Sequence, residues 1–225
     1  MFDPNVLAVQ IVTAAPVFLF SLVFHEYSHA LVAHRLGDRL AAWSGRLTLD
    51  PRPHVDPLGS IVMPLAGLAL GGFIFGWARP VPVNPRDLKN RSRDMALIAL
   101  AGPVSNLLLL IACAFLMRGL MAAGATEDGL SGIALRMAAF GVYINALLAI
   151  FNMIPLPPLD GSKVLAHFLG PETGRRLLGI NSGLSFLFLM FLVFQGYLSK
   201  PLFMAIQCGA YLAGMEFGEV ASLLP

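Results

Sequence analysis

Apolar residues run in long blocks along the chain, separated by short polar or proline-rich stretches. The first block, Val6 to about Leu36, exceeds the roughly 20 residues that a membrane-crossing helix needs, and Gly37 and Asp38 end it. Residues 37–57 are polar, and Pro51, Pro53 and Pro57 exclude a regular helix there, predicting extended chain at the membrane surface. Residues 58–78 are apolar again but interrupted by Pro64, Gly67, Gly71, Gly72 and Gly76. A basic segment over 79–94 opens with the alternating run Arg79-Pro80-Val81-Pro82-Val83-Asn84-Pro85. Clean spans follow over 95–117, 133–154, 182–198 and 201–220, the last two separated only by a tight turn. Pro155, Pro157 and Pro158 stop the span over 133–154, and Asp160-Gly161 turns into a short segment ending near Arg176.

These elements predict an all-α polytopic membrane protein. It has about five full spans, a Gly/Pro-broken re-entrant or extended element, and short interfacial strands. A single membrane-embedded domain covers 1–225, with a catalytic core over about 15–170 and a C-terminal helical hairpin over about 182–221. No repeat, low-complexity tract or appended soluble module is expected. The first block is expected to be a retained helix and not a signal peptide. Only Asp3 is charged ahead of it, and it runs directly into His25, Glu26 and His29 with no small-residue cleavage site.

Composition agrees with a membrane protein. Fifty-seven per cent of residues are apolar and twelve per cent charged, against roughly a quarter charged in soluble domains. Mean hydropathy is +0.75. A net charge of +2 is too small for a nucleic-acid footprint, so no nucleic-acid partner is expected. Cys113 and Cys208 both sit in apolar runs, which argues against a disulfide framework and a thiolate metal site.

Charge placement bears on residues 58–78. If they crossed the membrane, alternate loops would carry eight and seven basic residues, with no bias. If they dip in and return, loops 35–57, 79–93 and 155–182 share a side that holds twelve of the fifteen, leaving Arg118, Arg136 and Lys200 opposite. The second topology has the asymmetry that sets orientation. It predicts a re-entrant element, an outer N-terminus and a cytosolic C-terminus, with an ordinary Gly-rich span as the rival.

The candidate chemistry begins at His25-Glu26-Tyr27-Ser28-His29, an H-E-x-x-H on a helix. At about 100° per residue the two histidines lie one turn apart on one face, so both imidazoles can meet one metal ion. Glu26 falls on the same side, within reach of a water beside that ion. Three adjacent ionisable residues at membrane depth cost several kcal/mol and need a reason. A catalytic zinc usually takes three protein ligands and keeps one position open. Asp160 is the only carboxylate between Asp128 and Glu172 and follows the broken end of a span, which makes it the expected third ligand; otherwise it caps the helix that follows. Gly102, Pro103 and Asn106 read as packing and interhelical hydrogen bonding. His54 could gate the site or approach the metal, or simply sit at the interface. Residues 79–85, including Asn84, could offer an edge to unwound substrate, or simply pack.

His25-Glu26-Tyr27-Ser28-His29 and Asn152-Met153-Ile154-Pro155-Leu156-Pro157-Pro158-Leu159-Asp160-Gly161, joined by Gly102-Pro103-Val104-Ser105-Asn106, resemble the site-2 protease family of intramembrane zinc metalloproteases. The stretch from Leu47 to Gly59 is similar to that of the compact branch without accessory soluble domains. The resemblance implies one Zn²⁺ per chain held by His25, His29 and Asp160. It implies Glu26 as general base and Asn152 as the oxyanion donor, where the residues alone also allow a helix C-terminal cap or a buried interhelical hydrogen bond. It further implies cleavage of membrane-tethered protein substrates by a multi-pass protein of the cell membrane, with its active site near the cytosolic side. Selectivity would then come from the membrane part or from a separate adaptor or regulator protein. Two alternatives stay open on the residues alone: a membrane metal-ion transporter using the same His and Asp ligands, and an inactive scaffold.

Overall fold

The computed structural model describes residues 4–69 and 76–224. Helix α1 (Pro4–Arg35) is followed by a short α2 (Leu40–Trp43), then by a π-type turn over Pro57–Val62 that leads into α3 (Met63–Ala69). Two long helices come next, α4 (Arg91–Ala122) and α5 (Gly129–Asn152). The remainder is α6 (Asp160–Leu169), α7 (Pro171–Leu178), α8 (Ser182–Phe194), α9 (Ser199–Ala213) and α10 (Phe217–Ser222). Local chemistry sets several boundaries. The Asn90 side chain accepts the Arg93 N–H and caps α4, and Asn181 does the same for the Gly183 N–H at the start of α8. Gly214, in the left-handed conformation, ends α9.

Ile11–Arg35 of α1, and all of α4 and α5, are long and apolar enough to cross a bilayer. The chain after α6 falls short of the expected pair of full spans. At about 1.5 Å per residue, α8 is only about 20 Å long against a hydrocarbon core of about 30 Å. It becomes a fourth candidate span only together with α7, from which it bends by 80°.

Helix α4 is the centre of the bundle, packed against α5, α1, α6 and α9. Leu110, Ala114 and Met117 meet Leu135, Ala138 and Val142 of α5 and Ile206 and Ala210 of α9. Phe18 and Leu22 of α1 meet Phe140 and Ile144 of α5. Alanines at these contacts let the helices approach closely, the usual basis of helix association in lipid. On the outer side of α4, Leu107, Leu108, Phe115 and Leu116 are exposed, as lipid-facing positions are.

All regular elements among the described residues are helical, so the expected interfacial strands are not formed there; residues 77–84 are extended chain. The described ends of the broken segment lie together. The Trp77 N–H donates to the Gly59 carbonyl at 3.1 Å, the Ser60 hydroxyl donates to the Trp77 carbonyl at 2.8 Å, and the Arg79 N–H donates to the His54 carbonyl at 2.8 Å. A β-carbon at Gly59 would enter the Trp77 indole, and one at Gly76 would meet the Gly59 carbonyl, so glycine permits the apposition. Gly71 and Gly72, expected to help the chain turn, lie outside the described residues.

Candidate metal centre

His25 and His29 sit one turn apart on α1, their rings nearly perpendicular and 4.6 Å between centroids. Asp160 reaches them from the first residue of α6. It makes no cap to its own helix, so the alternative role weighed for it is not taken. The loop 153–159 folds tightly over that turn: a β-carbon at Gly161 would collide with the Met153 and Ile154 carbonyls. All three side chains are buried, at 5% exposure for His25, 8% for His29 and 5% for Asp160.

The hydrogen-bond partners determine what these atoms can do. The Nδ1 of His29 lies 2.7 Å from the Ile98 carbonyl oxygen, which only accepts, so Nδ1 carries a proton and, in the neutral ring that binds a metal, Nε2 carries a lone pair. The Nδ1 of His25 donates to Asn106 Oδ1 at 2.6 Å, giving the same tautomer. The two Nε2 atoms are then 3.0 Å apart, and Asp160 Oδ2 lies 3.3 Å from one and 3.2 Å from the other. With both rings neutral, three electron-pair donors converge at one buried point. That arrangement is repulsive unless a cation sits at its centre. Two imidazole nitrogens and a carboxylate oxygen form the donor set of a catalytic zinc, with the fourth position open.

Lys163 holds the other oxygen of Asp160, its Nζ donating to Oδ1 at 3.0 Å. Glu26 stands beside the trio without joining it. Its Oε2 accepts the Val81 N–H at 2.9 Å, from the extended segment that passes the site.

His25, Glu26, His29, Asn152 and Asp160 open onto one cavity of about 700 Å³. Asn152 is the last residue of α5, and its amide donates back to the Leu148 carbonyl at 3.0 Å. Apolar walls come from Pro80, Val81, Phe151 and Leu156, and from Phe186 and Leu189 of α8. The helix that the sequence assigns to the C-terminal hairpin thus also walls the site. Ser185 of α8 lines the cavity too, with a buried hydroxyl that has no partner among the described residues.

His54 and Asn84 lie elsewhere. His54 is fully buried in the loop before the π-type turn, with Nε2 at 3.0 Å from the Thr48 carbonyl, and is not among the cavity-lining residues. Asn84 stabilises its own turn: its N–H donates to Asp38 at 2.6 Å and its side chain to Asp87 at 2.9 Å. Conversely, three groups at the centre were not legible as such. Asn106, read from the sequence as an interhelical hydrogen-bonding residue, makes such a bond but to the candidate ligand His25, and Gly102, read as packing, lies flush against both imidazoles. Their spacing of four, on one face of a span, was the available signal. Lys163 gave none beyond its i+3 relation to Asp160.

An H-E-x-x-H joined by an aspartate from a later helix, among membrane-length apolar helices, defines a membrane-embedded metallohydrolase. Residues 120–195 match the model of Peptidase family M50. YwhC of Bacillus subtilis, described as a candidate zinc metalloprotease, is 37% identical over 180 residues, covering 78% of this chain and 76% of YwhC. Rip2 of Mycobacterium tuberculosis, described likewise, is 36% identical over 176 residues, and the match spans 64% of its length. MJ0611 of Methanocaldococcus jannaschii, again so described, is 32% identical over 194 residues, 87% of its length. The chain belongs to peptidase family M50, the site-2 protease family of zinc metalloproteases. No solved structure gives a significant match.

Proposed function

We propose that the chain is a zinc-dependent intramembrane endopeptidase acting on membrane-tethered protein substrates. The observation that carries this reading is the convergence of His25, His29 and Asp160 beside Glu26 in one cavity between apolar helices. Zinc bound by these three side chains would supply Lewis-acid activation of a water and of the scissile carbonyl. Glu26 acts as general base. The Val81 amide fixes one carboxylate oxygen, and the second takes the water proton and passes it to the leaving amine. Asn152 gives one amide hydrogen to Leu148, and its other hydrogen serves the developing oxyanion. The extended chain over 79–84 borders the path of the unwound substrate, while His54 and Asn84 shape that segment without touching substrate.

The whole of 1–225 acts as one membrane-embedded unit in the cell membrane. It has five crossings when α7–α8 and α9 complete the set, and a re-entrant 58–78. Its outer N-terminus and cytosolic C-terminus put the site near the cytosolic side. Selectivity comes from the cavity or from a separate adaptor protein. The test is the purified protein reconstituted in vesicles with a single-span reporter and external zinc. A protease cuts the reporter and moves no zinc across the membrane; zinc flux without cleavage would replace this reading with that of a transporter.

A further inference from the structure

Asn106 belongs to a chain of buried polar side chains that joins the three long helices. His25 Nδ1 donates to Asn106 Oδ1 at 2.6 Å, and Asn106 Nδ2 donates to Asn145 Oδ1 at 2.8 Å. Asn145 Nδ2 donates both to the Gly141 carbonyl and to Ser21 Oγ, each at 2.9 Å. The path starts on α1, crosses α4 and α5, and returns to α1 one turn before His25. Asn106, Asn145 and Ser21 are each no more than 1% exposed.

The polarity of this chain is fixed at its far end. A backbone carbonyl only accepts, so the Gly141 oxygen demands the amine side of the Asn145 amide. Asn145 then turns its oxygen to Asn106. Asn106 must answer with its own amine, which leaves its oxygen for His25. The proton of His25 is thereby held on Nδ1 and the lone pair on Nε2, where the metal would bind. His29 needs no such device, because its partner, the Ile98 carbonyl, has no donor to offer. Asn106 is different: alone, it could rotate by half a turn and present its amine to Nδ1. That would favour a proton on Nε2 and block the ligand atom.

We infer that Asn145 is a positioning residue for the metal centre. It locks the amide orientation of Asn106 and, through it, the metal-binding tautomer of His25. The inference rests on His25 being a zinc ligand. Hydrogen-bond partners of ligating histidines are worth about 10- to 100-fold in metal affinity, and here part of that value is held one residue further out.

The test is zinc affinity by chelator competition on purified full-length protein, in two backgrounds. Asn145→Leu leaves Asn106 unconstrained and should weaken zinc binding about 10- to 100-fold. Asn106→Asp presents only acceptor oxygens to His25, so it should keep zinc, and adding Asn145→Leu to it should cost no further affinity. Cobalt substitution gives a second readout: the visible spectrum should change in Asn145→Leu and return toward wild type in the double variant. A packing role for Asn145 predicts equal losses in both backgrounds, or none in either, and each of those results overturns the lock. Failure of wild type itself to bind zinc would instead overturn the reading of His25 as a ligand. Thermal unfolding of the chelator-treated proteins separates lost folding from lost affinity.

Discussion

Replacing Gly102 with alanine perturbs the metal centre at its tightest contact while leaving every ligand in place. A β-carbon at this position would stand 2.5 Å from the Nε2 of His25 and 2.5 Å from the Nε2 of His29, where ordinary contact begins at 3.4 Å. The rings would therefore have to retreat by about 0.9 Å, several times the roughly 0.2 Å within which metal–ligand distances hold. They have little room, because Asn106 and the Ile98 carbonyl tether both Nδ1 atoms. Displacement by about 1 Å costs about 100-fold in catalysis, and zinc affinity should fall with it. The fold should survive: alanine is about 1 kcal/mol more favourable than glycine inside a helix, and Gly102 lies within α4. The assay is zinc per chain under a competing chelator, reporter cleavage, and thermal unfolding in excess chelator. The expected result is a metal-poor, inactive protein whose chelated form still unfolds cooperatively, destabilised by no more than the roughly 1–3 kcal/mol of one overpacked contact. A Gly102→Ala protein with full zinc and wild-type turnover would refute the packing of α4 against the imidazoles.

Other variants probe separate parts of the site. Asn152→Ala should keep zinc but lose about 10²- to 10³-fold in kcat if the amide serves the oxyanion; unchanged turnover would remove it from the mechanism. Lys163→Met strips the partner from Asp160 Oδ1, and zinc affinity should drop about 10- to 100-fold with little change in KM; unaltered affinity would show that Asp160 needs no such support. Cysteines placed at residues 50 and 90 should react with an impermeant thiol reagent from the same face of the membrane, because the described ends of the broken segment between them lie together; labelling from opposite faces would contradict the re-entrant topology.

The elements that could be read from the sequence are those with a strong local cause. α1 is apolar over most of its length, its histidines recur at helical spacing, and the prolines after Asn152 force a break that leaves Asp160 at the head of a short helix. Residues 77–79 hydrogen-bond to 54–60, a contact that depends on the assembled chain, and the expected strands are not formed among the described residues. What escaped depends on the assembled bundle. Nothing local distinguishes an asparagine that glues two helices from one that holds a ligand, because both are single polar residues on an apolar face. Asn106 acquires its role only when α4 lies against α1, and Asn145 only when α5 closes the ring to Ser21. Likewise α8 reads as half of a hairpin, but its 80° bend from α7 brings Ser185, Phe186 and Leu189 to the cavity wall.

The most direct test of the central claim compares wild type with Glu26→Gln, measuring zinc content and cleavage of a single-span reporter on the same preparations. The substitution keeps the shape of the side chain and an oxygen to accept the Val81 N–H, and it leaves His25, His29 and Asp160 untouched. The account predicts about one zinc per chain in both proteins, with cleavage by the wild type alone. Equal cleavage by Glu26→Gln, or a wild type that cleaves without zinc, would contradict it.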